Sequence, residues 1–210
     1  MKYLIKLLTA FSISICVYLA LIFVSLSSIA QEQKSVELVA TIQQSMAILI
    51  SDTQCDFGIV IAGTPSRCQG GFDISVKTNS STGYLLGAQD NVADPNSAMV
   101  YGDAVTHIPD FSAPLSSPEI FDPGVDIGVG ITVYAADTNK ELKWGNGSSY
   151  NDLLNKYAGI PELMQTLHSS PNYKADFDNT SVAFIMDVSP DQKDGFYSGN
   201  VIITAVALVE

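Results

Sequence analysis

Asp194-Gly195-Phe196-Tyr197-Ser198-Gly199-Asn200-Val201-Ile202-Ile203-Thr204-Ala205-Val206-Ala207-Leu208-Val209 is the stretch whose reading decides the fold. A glycine-containing turn opens onto an aromatic pair and then onto a run dense in Val, Ile and Thr, whose branched side chains suit a pleated surface. The run predicts a β-strand. Apolar residues occupy both parities, Val201, Ile203 and Ala205 on one side and Ile202, Val206 and Leu208 on the other. Both faces are therefore expected to be covered, as in the middle of a packed sandwich.

Working outward, Val182-Ala183-Phe184-Ile185-Met186-Asp187-Val188 reads as the penultimate strand, and Pro190 to Gly195 as the turn of a terminal hairpin. Upstream, Ile127, Val129, Ile131 and Val133 line one face of a strand. Gly128 and Gly130 sit opposite, where glycine admits a close backbone or a large ring. Phe72, Ile74 and Val76 mark another strand over 72–78, Tyr84 to Ala88 its return, and Cys55 to Pro65 a short strand ending in a Gly-Thr-Pro turn. Helical character is confined to 149–167, in Leu153-Leu154 and Pro161 to His168. The expected class is all-β, an immunoglobulin-like or jelly-roll (Greek-key) β-sandwich of about eight to ten strands with one short helical segment.

The chain of 210 residues begins Met1-Lys2-Tyr3-Leu4-Ile5-Lys6, runs almost without polarity from Leu7 to Val24 and reaches Ser28-Ile29-Ala30. A basic start, an apolar middle and a small-x-small end describe a secretory signal peptide over residues 1–30, with an uncleaved membrane anchor as the alternative. Residues 31–210 then form a single sandwich domain, secreted or held at the cell surface. Cys16 lacks the small preceding residue expected before a lipidated cysteine.

Ten basic residues face 22 acidic ones, a formal net charge of −12, and loss of Lys2 and Lys6 with the leader makes the balance still more acidic. That excess argues against nucleic acid and anionic lipid as partners, because both need a cationic surface. It leaves the N-terminal segment as the only expected membrane contact. Cys55 and Cys68 remain after cleavage, and an exported protein oxidises such a pair. The loop they close, about a dozen residues, is worth on the order of 3 kcal/mol in chain entropy.

After the leader, Val36, Leu38, Ala40 and Ile42 alternate with polar residues, and Met46, Ile48 and Ile50 continue the period beyond Gln44. The pattern is that of the domain's first strand, or of an arm whose apolar face completes a neighbouring subunit. From Asp90 to Pro123 the chain turns rich in Asp, Asn, Ser and Pro, an excursion expected to run over the surface. Its acids Asp90, Asp94, Asp103 and Asp110 lack the D-x-D-x-D-G spacing of a calcium loop and are expected to be solvated carboxylates. Trp144, the one tryptophan, either caps the core or stands exposed with Tyr150 and Tyr157 as a sugar-stacking platform.

No catalytic constellation emerges. The only histidines are His107 and His168, no serine lies in a G-x-S-x-G elbow, no phosphate-binding glycine loop is present, and no carboxylate pair is singled out. An enzyme is not expected, nor a cofactor, nor a metal.

Three pieces carry a family resemblance. Asp56-Phe57-Gly58 with Gly63-Thr64-Pro65 looks like the "F-G … G-T-P" stretch of many exported bacterial surface domains. Val133-Tyr134-Ala135-Ala136-Asp137 leading to Trp144-Gly145-Asn146-Gly147 is similar to the "L-Y-x-D … W-G-D-G" passage of spore coat protein U-like domains, the secreted pilin-like proteins of archaic chaperone–usher systems. Gly195 to Ala205 resembles their closing "G-x-Y-x-D-x-V-x-V-T" strand. The resemblance implies an immunoglobulin-like sandwich serving as a pilin-like or coat-like subunit, in which a strand from one copy or a related surface subunit completes the next. On this sequence the donor would be Val36, Leu38, Ala40 and Ile42. Cys55 lies directly before Phe57-Gly58 rather than well upstream, Cys68 precedes the third strand, and the 90–123 excursion is longer than the family's. The defining motif of WxL surface domains is absent, since Trp144 is followed by Gly145-Asn146. The alternative function is a monomeric extracellular adhesion or glycan-binding module working through Trp144, Tyr150, Tyr157 and the acidic loop.

Overall fold

Phe72–Thr78 (β3) alternates buried and exposed residues along most of its length, with Phe72, Ile74, Val76 and Thr78 inward. That is the burial period of a strand with one face on a core. The computed structural model describes residues 34, 37–92, 94 and 96–209, so the expected leader and Val36 lie outside it. The chain divides into two units, Met1–Ile42 and Gln43–Glu210. Residues 34 and 37–42, the described part of the first, carry no regular element.

The second unit is all-β. Met46–Ile50 (β1), Ser66–Arg67 (β2), β3, Gly128–Ala136 (β7), Ala158–Gly159 (β8) and Lys174–Asp187 (β10) make one sheet, ordered β1-β3-β10-β7-β8 with β2 beside β10. Val201–Ala207 (β12), Tyr84–Asp90 (β4) and Gln165–Ser170 (β9) make a second, ordered β12-β4-β9. Tyr197–Ser198 (β11), Ser97–Tyr101 (β5) and His107–Pro109 (β6) form a third. Every ladder between these strands is antiparallel.

The first two sheets face one another as a sandwich. Tyr84, Leu86 and Ala88 of β4 and Leu167 of β9 meet Ile74, Val76, Ile131, Val133 and Phe184 in one core cluster. The other face of the first sheet is covered by the 90–123 excursion: Phe111, Ala113 and Phe121 pack with Tyr157 on Ile185 of β10. Hence β10 is buried continuously from Val182 to Asp187. The excursion is therefore a third layer carrying two strands and its own apolar cluster, not a surface loop. Asp187 secures it, accepting hydrogen bonds from Gly63 N at 2.9 Å and Gly124 N at 3.2 Å.

Other expectations are corrected. The terminal hairpin does not form: β10 is flanked by β3 and β7, so both of its edges are taken, and β12 crosses to pair with β4. No helix spans 149–167. Among the described residues the one helical element is a 3-10 turn at Leu142–Trp144, while Pro161 breaks the run and a bulge in β9 turns Leu167 and His168 both inward. Residues 55–60 are irregular, and Ile61 makes a single bridge to Thr64 across the Ala62-Gly63 turn, rather than a strand. The β7 glycines behave as their positions imply. A Cβ at Gly128, whose φ is +106°, would lie 2.6 Å from Pro109 O, and one at Gly130 would lie 3.1 Å from Tyr157 Cβ.

Candidate functional site

Cys55 and Cys68 lie at disulfide distance, with Cα atoms 5.3 Å apart, and staple the segment that leads into β2. Cys68 is buried in the main core. The bond is structural in its setting.

Trp144 and Tyr157 cannot form a platform for a sugar, because both are buried. Trp144 is fully enclosed and its Nε1–H donates to Leu167 O at 3.0 Å, bracing the 3-10 turn against β9. Tyr157 belongs to the cluster beneath the excursion. Tyr150 alone of the three is half-exposed. Trp144 thus caps the core, the other expectation for it.

The acids of the excursion are not uniformly solvated. Asp103 accepts from Thr106 N at 2.8 Å, Val105 N at 3.0 Å and Lys193 Nζ at 3.0 Å, and these bonds, the Thr106 N–H foremost, hold its carboxyl well below the ordinary range. Asp90 and Asp110, by contrast, each keep a buried carboxylate oxygen without a hydrogen-bond partner. No group of three or more His, Cys, Asp or Glu side chains able to hold a metal occurs among the described residues.

One seam of the sandwich lies between β1 and β12. Gln44 Nε2 donates to Leu208 O at 2.9 Å, which sets the start of β1 beside the end of β12. Both are edge strands: β1 pairs with β3 and β12 with β4. On β1 the inward side chains share a face with Ile74, Val76 and Thr78, yet Ile48 is 38 % and Ile50 39 % exposed. On β12 the inward Val201, Ile203 and Ala205 are partly buried against the core, and the outward Ile202 and Val206 are each 40 % exposed. The expectation that both faces of this strand are covered is corrected: β12 is the border of a three-stranded sheet, with one face half-packed and the other open.

The arm of residues 36–42 joins the domain at Gln43. Asn79 holds its root, its Nδ2 donating to Gln43 O at 2.8 Å and its Oδ1 accepting from Ser45 N at 2.6 Å. Before that root, Leu38 is 91 % and Ile42 85 % exposed, and Ala40 is exposed too. The first strand therefore begins at Met46, and the described donor candidates stand outside it. The alternating run 36–42 was legible in the sequence, and the open edges of β1 and β12 were not. The signal was present in β12, whose apolar residues on both parities also describe a border strand that requires cover.

No family model matches the chain, and no curated protein matches it either.

Proposed function

We propose that the protein is a non-enzymatic, exported structural subunit of the cell surface, pilin-like or coat-like, in which the arm of one copy adds as a strand to β12 of the next. The unpaired edges of β1 and β12, together with the alternating apolar run 36–42, carry this reading. A free sheet edge offers unpaired backbone N–H and C=O groups, and natural proteins leave such an edge long and apolar chiefly where a partner completes it.

Chain direction favours a second copy over self-completion. The arm runs toward Gln43, whose neighbour Gln44 donates to Leu208 O, so folding back along its own β12 would make it parallel to that strand. All ladders between the described strands are antiparallel, and the arm of another copy is free to approach in that sense. The spacing also fits: β12 holds seven residues, and Val36 to Ile42 is a run of the same length with four apolar side chains on one face.

Light scattering after size exclusion tests the reading on residues 31–210 and on a version lacking 31–42. The longer form should make ladders or fibres, and the shortened form should remain folded and monomeric. A longer form that stays monomeric at high concentration would reject strand addition.

A further inference from the structure

Asp90 closes β4 with its side chain on the parity of Tyr84, Leu86 and Ala88, facing the interior, and it is only 4 % exposed. Its Oδ2 has no hydrogen-bond partner. Asp110 opens the excursion's apolar layer. Its Oδ1 accepts from Ile160 N at 3.2 Å, and its Oδ2 is also buried without a partner. Asp90 meets the same turn through its main chain, its N–H donating to Pro161 O at 2.9 Å. Two ionised carboxylates placed this way would each hold a desolvated charge that nothing neutralises, which is expensive in a protein interior.

The charges that act on them make ionisation harder. Asp110 feels Asp90 and Asp94, and Asp90 feels Glu162. His107 Nε2 lies 3.8 Å from Asp94 Oδ2. No lysine or arginine is among the groups acting on either carboxyl.

We propose that Asp110 retains a proton in the folded protein and forms a pH-sensitive latch that ties its end of the excursion to Ile160. Burial, opposed by the Ile160 N–H and reinforced by Asp90 and Asp94, raises the Asp110 carboxyl to about 7. Burial likewise raises Asp90, against the Val92 N–H. A carboxyl raised in the folded state contributes stability that is complete below its ordinary 3.8 and lost as the pH climbs toward about 7. The latch therefore holds in mild acid and weakens toward neutrality.

Carbon-13 NMR of aspartate carboxyl groups in the full chain tests the proposal directly. One resonance should titrate near neutrality and disappear in Asp110→Asn, whose amide oxygen can still accept from Ile160 N. In Asp90→Asn the Asp110 midpoint should fall by roughly half a unit to one unit, having lost a like charge. The melting temperature of wild type relative to Asp110→Asn should drop by about 5 °C between about pH 4.5 and pH 7.5. Ordinary titration of every aspartate in the wild type would overturn the proposal, and that measurement requires no variant to fold. Displacement of the same resonances by millimolar calcium at about pH 6 would also overturn it, by assigning the pair to a cation instead of a proton.

Discussion

Replacing His168 with leucine should stabilise the protein, and the gain should grow as the pH falls. His168 is fully buried on β9, opposite Leu86 of β4, and neither ring nitrogen has a hydrogen-bond partner. A neutral imidazole carries one donor and one acceptor, and each buried group left unpaired costs about 1–3 kcal/mol. Leucine removes both and nearly preserves volume, with a repacking cost of up to ~1.5 kcal/mol. The expected net gain near pH 7.5 is about 1–2 kcal/mol, or roughly 3–8 °C in melting temperature for a domain of this size. Burial, with Lys174 and Lys143 adding to it and Glu141 and Asp178 opposing, pulls the imidazole below its ordinary 6.5. A base depressed in the folded state lets the unfolded chain take up a proton that the native chain refuses. Wild type therefore loses stability as the pH falls below about 6.5, and His168→Leu should not lose this component. Urea denaturation of both proteins at about pH 7.5 and pH 5.5 measures the effect. A variant destabilised by more than about 1 kcal/mol at pH 7.5, or a difference independent of pH, would refute the reasoning by implying that the ring has a partner.

Trp144→Ala should cost about 3–5 kcal/mol in urea denaturation, because it empties a fully enclosed site and orphans Leu167 O. Gly128→Ala should also destabilise markedly by thermal melting, since its backbone lies in a region that L-residues avoid and the added methyl meets Pro109 O at 2.6 Å. Cys55→Ser with Cys68→Ser should lose on the order of 3 kcal/mol, measured against the oxidised wild type, for a closure spanning 13 residues. Asp178→Ala should lower the melting temperature most clearly above about pH 5. Burial raises this carboxyl, but hydrogen bonds from Ser170 at 2.6 Å, Thr138 at 2.8 Å and Tyr84 at 2.9 Å, with Lys174 nearby, leave it below its ordinary value. Its contribution is present above the unfolded value and fades in acid.

The all-β class was legible wherever one face of a strand decides its pattern. β3 shows this best, because Phe72, Ile74 and Val76 alternate with residues that reach solvent. The pairing of strands was not legible. Pro190 to Gly195 has the composition of a hairpin turn, but a turn reports only that the chain bends, and here it hands the chain from one sheet to another. The excursion hid its core because Phe111, Ala113, Leu115 and Phe121 pack from irregular backbone, where apolar residues follow no period. The helical reading of 149–167 arose from Leu163, Met164 and Leu167, whose spacing mimics a helix face. In fact Leu163 and Met164 precede β9 in the open, and Leu167 is turned inward by a bulge. Of the candidate sites, the alternating arm could be read directly, since its period is local. The open edges of β1 and β12 could not, because an edge is defined by the strand order of the sheet and not by a local pattern.

Strand addition at those edges is most directly measured by adding a peptide of residues 31–42 to the domain spanning residues 43–210 and following backbone amide resonances. Binding should shift the amides of β12 and β1 together, from Val201 to Ala207 and Met46 to Ile50, and changing Leu38 and Ile42 of the peptide to Asp should abolish it. A peptide that leaves these amides unmoved, or that shifts a different face of the sandwich, would contradict the proposal that the arm of one copy completes the next.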